Sequence, residues 1–463
     1  MSALSSLNAA NSALMAQQRA LDITGQNVAN VNTDGYSRQR VDLQSIGAST
    51  VPALFSTSSD VGGGVSGNSV TRIRDAFMEN RALAEHATSA QLTVQADAHT
   101  QIEASFREPG DNGLQAVMDT MWSSFEDVTS TDEAARSTVL ENIATVANSL
   151  NTTSAALDQQ WTQTREDLSA ALGQANATAA QIADLNSQIQ AATQGGGSAN
   201  ELSDKRDALV LSLATSIGAT ASTRSDGMVD VLVGGSTLVS GARAISLALD
   251  GAASLGDLSD GLAVKTVPGG TRVAAGGTAG GQLAVLSDII PTYQKSLDDI
   301  AVRVADVLNS GNQGGYRADG SAGAALLGSS DPTKGITAGT ITLLTSTPAD
   351  VAASAVAGVA STDTSNAQLM ARLGDTSGVD ASYRTLVTQL GVASSVATQS
   401  LSIQSTITSN VDAARQSVSG VSIDEEMTQM LAFQHGYEAA ARMITAMDEV
   451  LDKLINSTGR VGL

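Results

Sequence analysis

The first thirty residues carry apolar side chains at intervals of three, four and seven positions along the chain. Asn11, Gln18 and Gly25 interrupt this row with polar or small groups. Such spacing is typical of the a and d positions of a heptad repeat. We therefore predict an N-terminal helix with a weak apolar seam, formed by Leu4, Leu7, Leu14, Leu21 and Val28.

The C-terminal part of the chain repeats this pattern with larger side chains. Ser422 precedes the row, and Glu425 stands three positions later, which is the spacing of a helix capping box. Gly459 is a suitable residue to end the helix. We predict a second seam, formed by Met430, Phe433, Tyr437, Ala440, Ile444, Met447, Leu451 and Leu454.

Two interpretations of these matching seams remain open. The two helices can simply pair within one subunit and tie the chain ends together. Alternatively, the seams also pack between subunits, because helix pairs with few large apolar residues usually need neighbours for stability. We favour the second interpretation and treat these apolar positions as candidate self-assembly residues.

The middle of the chain changes period, which predicts a mainly α fold with an inserted β domain and an elongated, multi-domain shape. Helical spacing runs from about 73 to 214, and its longest helix covers roughly 131–192. The stretch DGMVDVLVGGSTLVSG then reads as a hairpin with a Gly-Gly turn. The expected domains are a terminal coiled coil (1–50 and 415–463), a helical bundle (51–215, 281–310 and 365–414) and a β domain (216–280). The loops and short strands of 311–364 are expected to join the bundle or the β domain.

The amino-acid composition excludes several classes of function and site. The 463 residues carry a formal net charge of −22, and such an acidic surface repels nucleic acid. Cysteine is absent, which excludes disulfides and thiolate sites. We see no run of about 18 apolar residues that would span a membrane. The N-terminal stretch also lacks the basic and apolar regions of a cleavable secretory signal.

Candidate catalytic chemistry is sparse. The three histidines, His86, His99 and His435, have no second ligand at metal-binding spacing. GGGVSG at 62–67 fits a dinucleotide motif, but its surroundings do not read as a strand leading into a helix. We therefore expect no catalytic residue, no metal, no cofactor and no enzymatic activity.

The run NVANVNTDGYSRQR, residues 27–40, reads as the elbow that follows the first helix. Asp34-Gly35 tolerates a turn, and asparagine amides satisfy backbone groups at helix ends. We expect an elbow that points the chain outward and contains Asn27, Asn30, Asn32, Gly35, Tyr36 and Arg38.

LDITGQNVANVNTDGYSRQRV, residues 21–41, resembles the N-terminal motif of bacterial flagellar rod and hook proteins. Its Gly-Tyr-Ser-Arg-Gln ending is the variant of the hook-associated members. The C-terminal stretch is similar to the same family through Ser419–Val421, the paired acids Glu425 and Glu426, Gln434 and Tyr437. Asp34 stands where relatives often have proline.

The resemblance implies a structural subunit that polymerises at the hook tip and joins hook to filament. Paired terminal helices would form an inner coiled-coil layer of a tube. Expected partners are further copies of the chain, hook protein, the next junction protein and an export chaperone. Flagellar type III export without signal cleavage would place the protein outside the cell. Alternatives are a hook- or rod-type axial protein and a surface adhesin.

Overall fold

A computed structural model describes residues 3–47, 62–111, 113–129, 132–358 and 362–457, and only the backbone of residues 3–5, 260 and 457. The chain is mainly helical, with several small antiparallel sheets and a long C-terminal helix, as the sequence predicted. Within these ranges no helix is both long and apolar enough to cross a lipid bilayer.

Helix α1 (Ala3–Ala29) lies between the last helix and a hairpin. It packs on α11 (Ile423–Ser457) and on the strands β1 (Gln39–Ile46) and β2 (Gly64–Arg72), which pair antiparallel with Val41 opposite Val70. We did not predict β1, and it lies inside the segment assigned to the terminal coiled coil. Its side chains alternate between buried and exposed only over Gln39–Val41, too briefly for a clear strand signal.

The glycine-rich run at 62–67 belongs to this hairpin and does not form a nucleotide loop. Gly64 has a φ of +107°, and a Cβ there would clash with the Ser12 hydroxyl of α1. Glycine at this position therefore lets β2 approach α1 closely.

Long helices form the central bundle and contain its core. They are α2 (Ala76–Phe106), α3 (Leu114–Ser124), α4 (Glu133–Gln194), α5 (Asn200–Ile217) and α10 (Val379–Ser419). Helix α4 has 62 residues and is about 93 Å long at 1.5 Å per residue. Its fully buried Trp161, Leu168 and Ile182 lie in one continuous apolar cluster with residues of the other helices.

Seven strands follow α5 and form two antiparallel sheets. The first sheet contains β3 (Ala219–Thr223), β4 (Val229–Val233), β5 (Ser236–Ser240) and β6 (Arg243–Ala244) in sequence order. The second contains β7 (Ser246–Gly251), β8 (Leu262–Val267) and β9 (Arg272–Val273). The Gly-Gly turn at 234–235 connects β4 to β5, and both glycines have positive φ.

Helical structure then returns and is interrupted by short strands. Helix α6 (Gly277–Ala284) runs through a π-helical turn, Val285–Ile289, into α7 (Ile290–Gln313). The strands β10 (Leu327–Ser329) and β11 (Ile341–Leu343) form a two-stranded sheet, and α8 (Ser365–Ala371) and α9 (Leu373–Thr376) precede α10. A break at Gly420 separates α10 from α11.

Asparagine side chains on the helices attach the extended segments to the helical frame. The Asn186 amide of α4 donates to the carbonyls of Val229 and Gly241 and accepts from the Val229 N–H. Asn176 binds both backbone groups of Leu247 in the same way. Each amide satisfies backbone groups that a sheet edge would otherwise leave unpaired.

Candidate assembly site

The site begins with Asn27, which is buried near the end of α1. Its amide nitrogen donates to the Gln39 carbonyl and to Glu426 Oε2, both at 2.9 Å. Its oxygen accepts from the Tyr36 hydroxyl at 2.8 Å and from the Gln39 N–H at 3.0 Å. All four hydrogen-bonding positions of the amide are therefore occupied, which fixes its orientation.

Arg38 joins the elbow to the C-terminal helix. Its guanidinium donates to Glu426 Oε1 at 2.7 Å and to Glu425 Oε2 at 2.8 Å, while its backbone N–H donates to the Ser419 carbonyl. The Glu426 side chain is only 1% exposed, so these partners supply the hydrogen bonds that water cannot. We call Asn27, Tyr36, Arg38, Gln39 and Glu426 the terminal hub.

Tyr36 lies half-buried among acidic groups. Burial, followed by the nearby charges of Asp204, Glu426 and Glu201, raises the pKa of Tyr36 to about 12. The phenol therefore stays protonated at neutral pH and keeps donating its hydrogen bond to Asn27.

A second set of contacts ties the terminal hub to the bundle. The Ser37 N–H donates to Asp204 on α5 at 3.2 Å, and Asn200 donates to Gln39 Oε1 at 3.0 Å. Arg72 of β2 donates to both Asp204 and Asp207 at 2.8 Å. The bundle, the segment after α1 and the start of α11 therefore meet at one place.

The other predicted elbow residues have smaller roles. Asn30 binds the Gln26 carbonyl and so caps the C-terminal end of α1, as expected for such an asparagine. Gly35 has a φ of +78°, which explains glycine in the turn. Asn32 is exposed. Asn27 itself binds β1 and α11 and does not serve as the helix cap that we expected.

The paired acids were the residues whose role sequence reasoning missed. We expected Glu425 to complete a capping box with Ser422, and Glu426 was noted through the family resemblance. The structure instead directs both carboxylates to Arg38, which lies almost 400 positions earlier in the chain. Spacing contains no signal for such a contact, although resemblance to the family did mark both acids.

The face of α1 that is buried within the subunit is not the predicted leucine seam. Small and polar side chains are buried there: Ala10, Ala16, Ala20 and Thr24 are each 2–3% exposed. Leu7, Leu14, Leu21 and Val28 lie beside this face and remain half-buried, and we call them the N-terminal apolar row. The side chain of Leu4 lies outside the described residues.

The predicted seam of α11, which we call the C-terminal apolar row, is also incompletely covered. Ala440 is its buried member, and Met430, Phe433, Ile444, Met447 and Leu451 are half-buried. Tyr437 and Leu454 are 37% and 50% exposed. Outside this row, large apolar side chains of the same helix are exposed at Met427, Leu431, Met443 and Val450. The two terminal helices thus leave much apolar surface in water.

Comparison with known proteins decides the family. The flagellar hook-associated protein 1 of Bacillus subtilis is 31% identical over 98% of this chain and 98% of its own length. That of Salmonella typhimurium is 28% identical over 68% of this chain and 58% of its own.

This chain belongs to the flagellar hook-associated protein 1 family.

Matches to family models agree with the geometry. The model for the helical domain of flagellar hook-associated protein FlgK matches residues 99–327. Two flagellar basal body rod models match 7–36 and 413–457, which are the segments that meet at the terminal hub. The family resemblance read from the sequence is therefore confirmed.

A solved structure shows the same fold. The flagellar hook junction protein FlgK from Burkholderia pseudomallei aligns with a TM-score of 0.63 over 73% of this chain and 100% of that chain, at 17% identity. Membership of the hook-associated protein 1 family makes the protein a structural component of the bacterial flagellum. In the described part of the chain, no group of three His, Asp or Glu side chains is placed to hold a metal ion.

Proposed function

We propose that this protein polymerises at the tip of the hook and joins the hook to the filament. Copies of α1 and α11 would form a coiled-coil inner layer of the tube, with the bundle outside it and the β domain (216–280) facing the medium. The observation that supports this most strongly is the half-buried state of both apolar rows in the single subunit.

The two apolar rows favour assembly, because contacts between copies would cover them. Leaving large apolar side chains in water costs about 25 cal/mol per Å² of apolar surface, and covering them removes that cost. The terminal hub fixes where α11 starts relative to α1, so every copy would present the two rows in the same arrangement. Identical arrangement in each copy is what a repeating tubular assembly requires.

The proposed partners follow from this arrangement and from the family. They are further copies of the chain, hook protein on one side and the next junction protein on the other. The C-terminal apolar row would bind an export chaperone before assembly, because an amphipathic helix suits a partner groove. We propose flagellar type III export without cleavage and a final location outside the cell.

The test is complementation of a deletion strain with Ile444→Asp, with Thr445→Asp as the matched control one position away. Ile444 is half-buried in the C-terminal apolar row, whereas Thr445 is exposed. A charge buried at an interface costs several kcal/mol. We expect Ile444→Asp cells to build hooks and shed filament subunits, and Thr445→Asp cells to keep their filaments. Leu14→Asp should behave like Ile444→Asp.

Electron micrographs of labelled protein at the hook–filament boundary provide the direct readout. Label along the whole hook or in the rod would instead identify a hook- or rod-type protein. Normal filaments in both the Ile444→Asp and Leu14→Asp strains would contradict the proposal.

A further inference from the structure

Between residues 392 and 408, helix α10 buries polar side chains and exposes apolar ones. Ser394, Gln404 and Thr408 are each 8% exposed. Val392, Val396 and Ile403, on the other face, are 58%, 60% and 53% exposed. A helix on the surface of an isolated globular protein normally shows the opposite distribution.

The inward polar face has a clear role within the subunit. The Ser394 hydroxyl donates to Glu103 on α2 at 3.0 Å. The Gln404 amide donates to the Glu85 carboxylate at 2.6 Å, and Thr408 donates to the Glu85 carbonyl at 3.4 Å. Hydrogen bonds therefore hold α10 against α2 in this stretch, and the aliphatic residues are left for the outside.

The outward residues form a single row. Val392, Val396 and Ile403 are four and seven positions apart, so they lie on one helix face. Valine and isoleucine are weaker helix formers than alanine, and as exposed residues they add nothing to the helix itself. A second surface that covers these three side chains would explain why they are apolar. We call these three residues the α10 row.

Charge points to the kind of surface that covers the row. No Asp, Glu, Lys, Arg or His occurs on α10 from Thr385 to Val411, although the whole chain carries a net charge of −22. Two copies of so acidic a chain repel each other unless they meet through uncharged faces. Depletion of charged residues is also typical of the centre of a protein interface.

The α10 row continues toward the surface already proposed for assembly. Beyond Ile403, exposed apolar side chains follow at Val418, Ile423 and Met427, across the break at Gly420. Contacts between copies through α11 would therefore bring neighbouring copies close to the outward face of α10.

We propose that the α10 row is a lateral contact with a second copy of this chain, outside the inner layer of terminal helices. This inference rests on the proposed function and extends it to a second radial layer of contacts. Neighbouring copies would then be joined both through the terminal helices and through the bundle.

The chain lacks cysteine, so a single introduced thiol reports on one position. Val396→Cys and, separately, Ile403→Cys would be produced in a complementing strain, with Thr237→Cys at an exposed position of β5 as the control. Each protein would be treated with a maleimide, once as the isolated subunit and once in purified flagella. A maleimide–benzophenone reagent on the same thiol would then identify the covering partner by mass.

We expect the thiols at 396 and 403 to react in the isolated subunit and to lose reactivity in flagella, while the thiol at 237 reacts in both. Photocrosslinks from 396 should yield dimers of this chain. Full reactivity at 396 and 403 in flagella, or crosslinks only to a different protein, would overturn this inference and leave the proposed function intact. If labelling of the Thr237→Cys variant detects none of this protein in purified flagella, both this inference and the proposed function fail.

Discussion

At the scale of single residues, the terminal hub depends on one buried carboxylate. Glu426 is balanced by Arg38 and Asn27, which both belong to the N-terminal segment. Removing a partner of a buried charge is far more costly than removing a surface ion pair. Arg38 and Arg40 allow a matched comparison, because Arg40 pairs with Asp42 while 67% exposed.

We predict that Arg38→Gln lowers the free energy of opening at the start of α11 by about 3–5 kcal/mol, because Glu426 is left partly unpaired. Arg40→Gln should change it by about 0–1 kcal/mol. Amide hydrogen exchange of residues 423–433 measures this opening locally. Equal effects of the two substitutions would show that the Arg38 contacts do not stabilise α11.

The raised pKa of Tyr36 makes a prediction about alkaline pH. A folded-state pKa of about 12, above the usual tyrosine value of 10.0, means that protonated Tyr36 stabilises the folded state fully below pH 10. That contribution is lost as the pH rises from 10 toward 12. Below pH 10, Tyr36→Phe should therefore differ from the natural protein in its free energy of unfolding. This difference should shrink as the pH rises above 10.

Urea unfolding followed by circular dichroism at several pH values measures this dependence. Ultraviolet titration of the phenols provides the control, because Tyr36→Phe should remove one group that titrates near pH 12. Loss of a group that titrates near pH 10 would contradict the assigned environment.

At the scale of secondary-structure elements, asparagines fasten strands to helices. Asn186 is fully buried on α4 and binds three backbone groups of the first inserted sheet. Its oxygen also accepts from Arg206 at 3.3 Å, so α5 joins the same contact. One side-chain amide thus helps to fix the position of that sheet on the bundle.

We predict that Asn186→Ala destabilises the protein by about 1–3 kcal/mol for each backbone group left unpaired. Asn148→Ala, at an exposed position of the same helix, should stay within about 0.5 kcal/mol of the natural protein. Urea denaturation of the two variants checks this. A loss of similar size in both would mean that helix propensity, not strand attachment, determines the effect.

Element positions were largely predictable from the sequence, whereas the contacts between elements were not. The helix predicted over 131–192 occupies 133–194 because its apolar spacing is long and regular. Strand β1 was missed because most of its side chains are exposed and show no alternation. The elbow residues Asn27, Tyr36 and Arg38 were predicted as a group, but their contacts with Glu426 join positions almost 400 residues apart, for which spacing gives no signal.

At the scale of the whole molecule, the same chain covers some apolar surface and leaves other apolar surface uncovered. The bundle core is complete, since Trp161 is fully buried and its indole donates to the Leu286 carbonyl at the π-helical turn. In one subunit, the apolar side chains of the terminal helices and of the outer face of α10 are only partly buried. This difference indicates a molecule that folds around its bundle and finishes its burial in an assembly.

The most direct test is a cryo-electron microscopy map of the hook–filament junction at side-chain resolution. We predict that Leu14 of α1 and Ile444 of α11 are covered by the terminal helices of neighbouring copies, with the terminal hub intact in each subunit. A map in which these two side chains contact only their own subunit and water would contradict the proposed assembly.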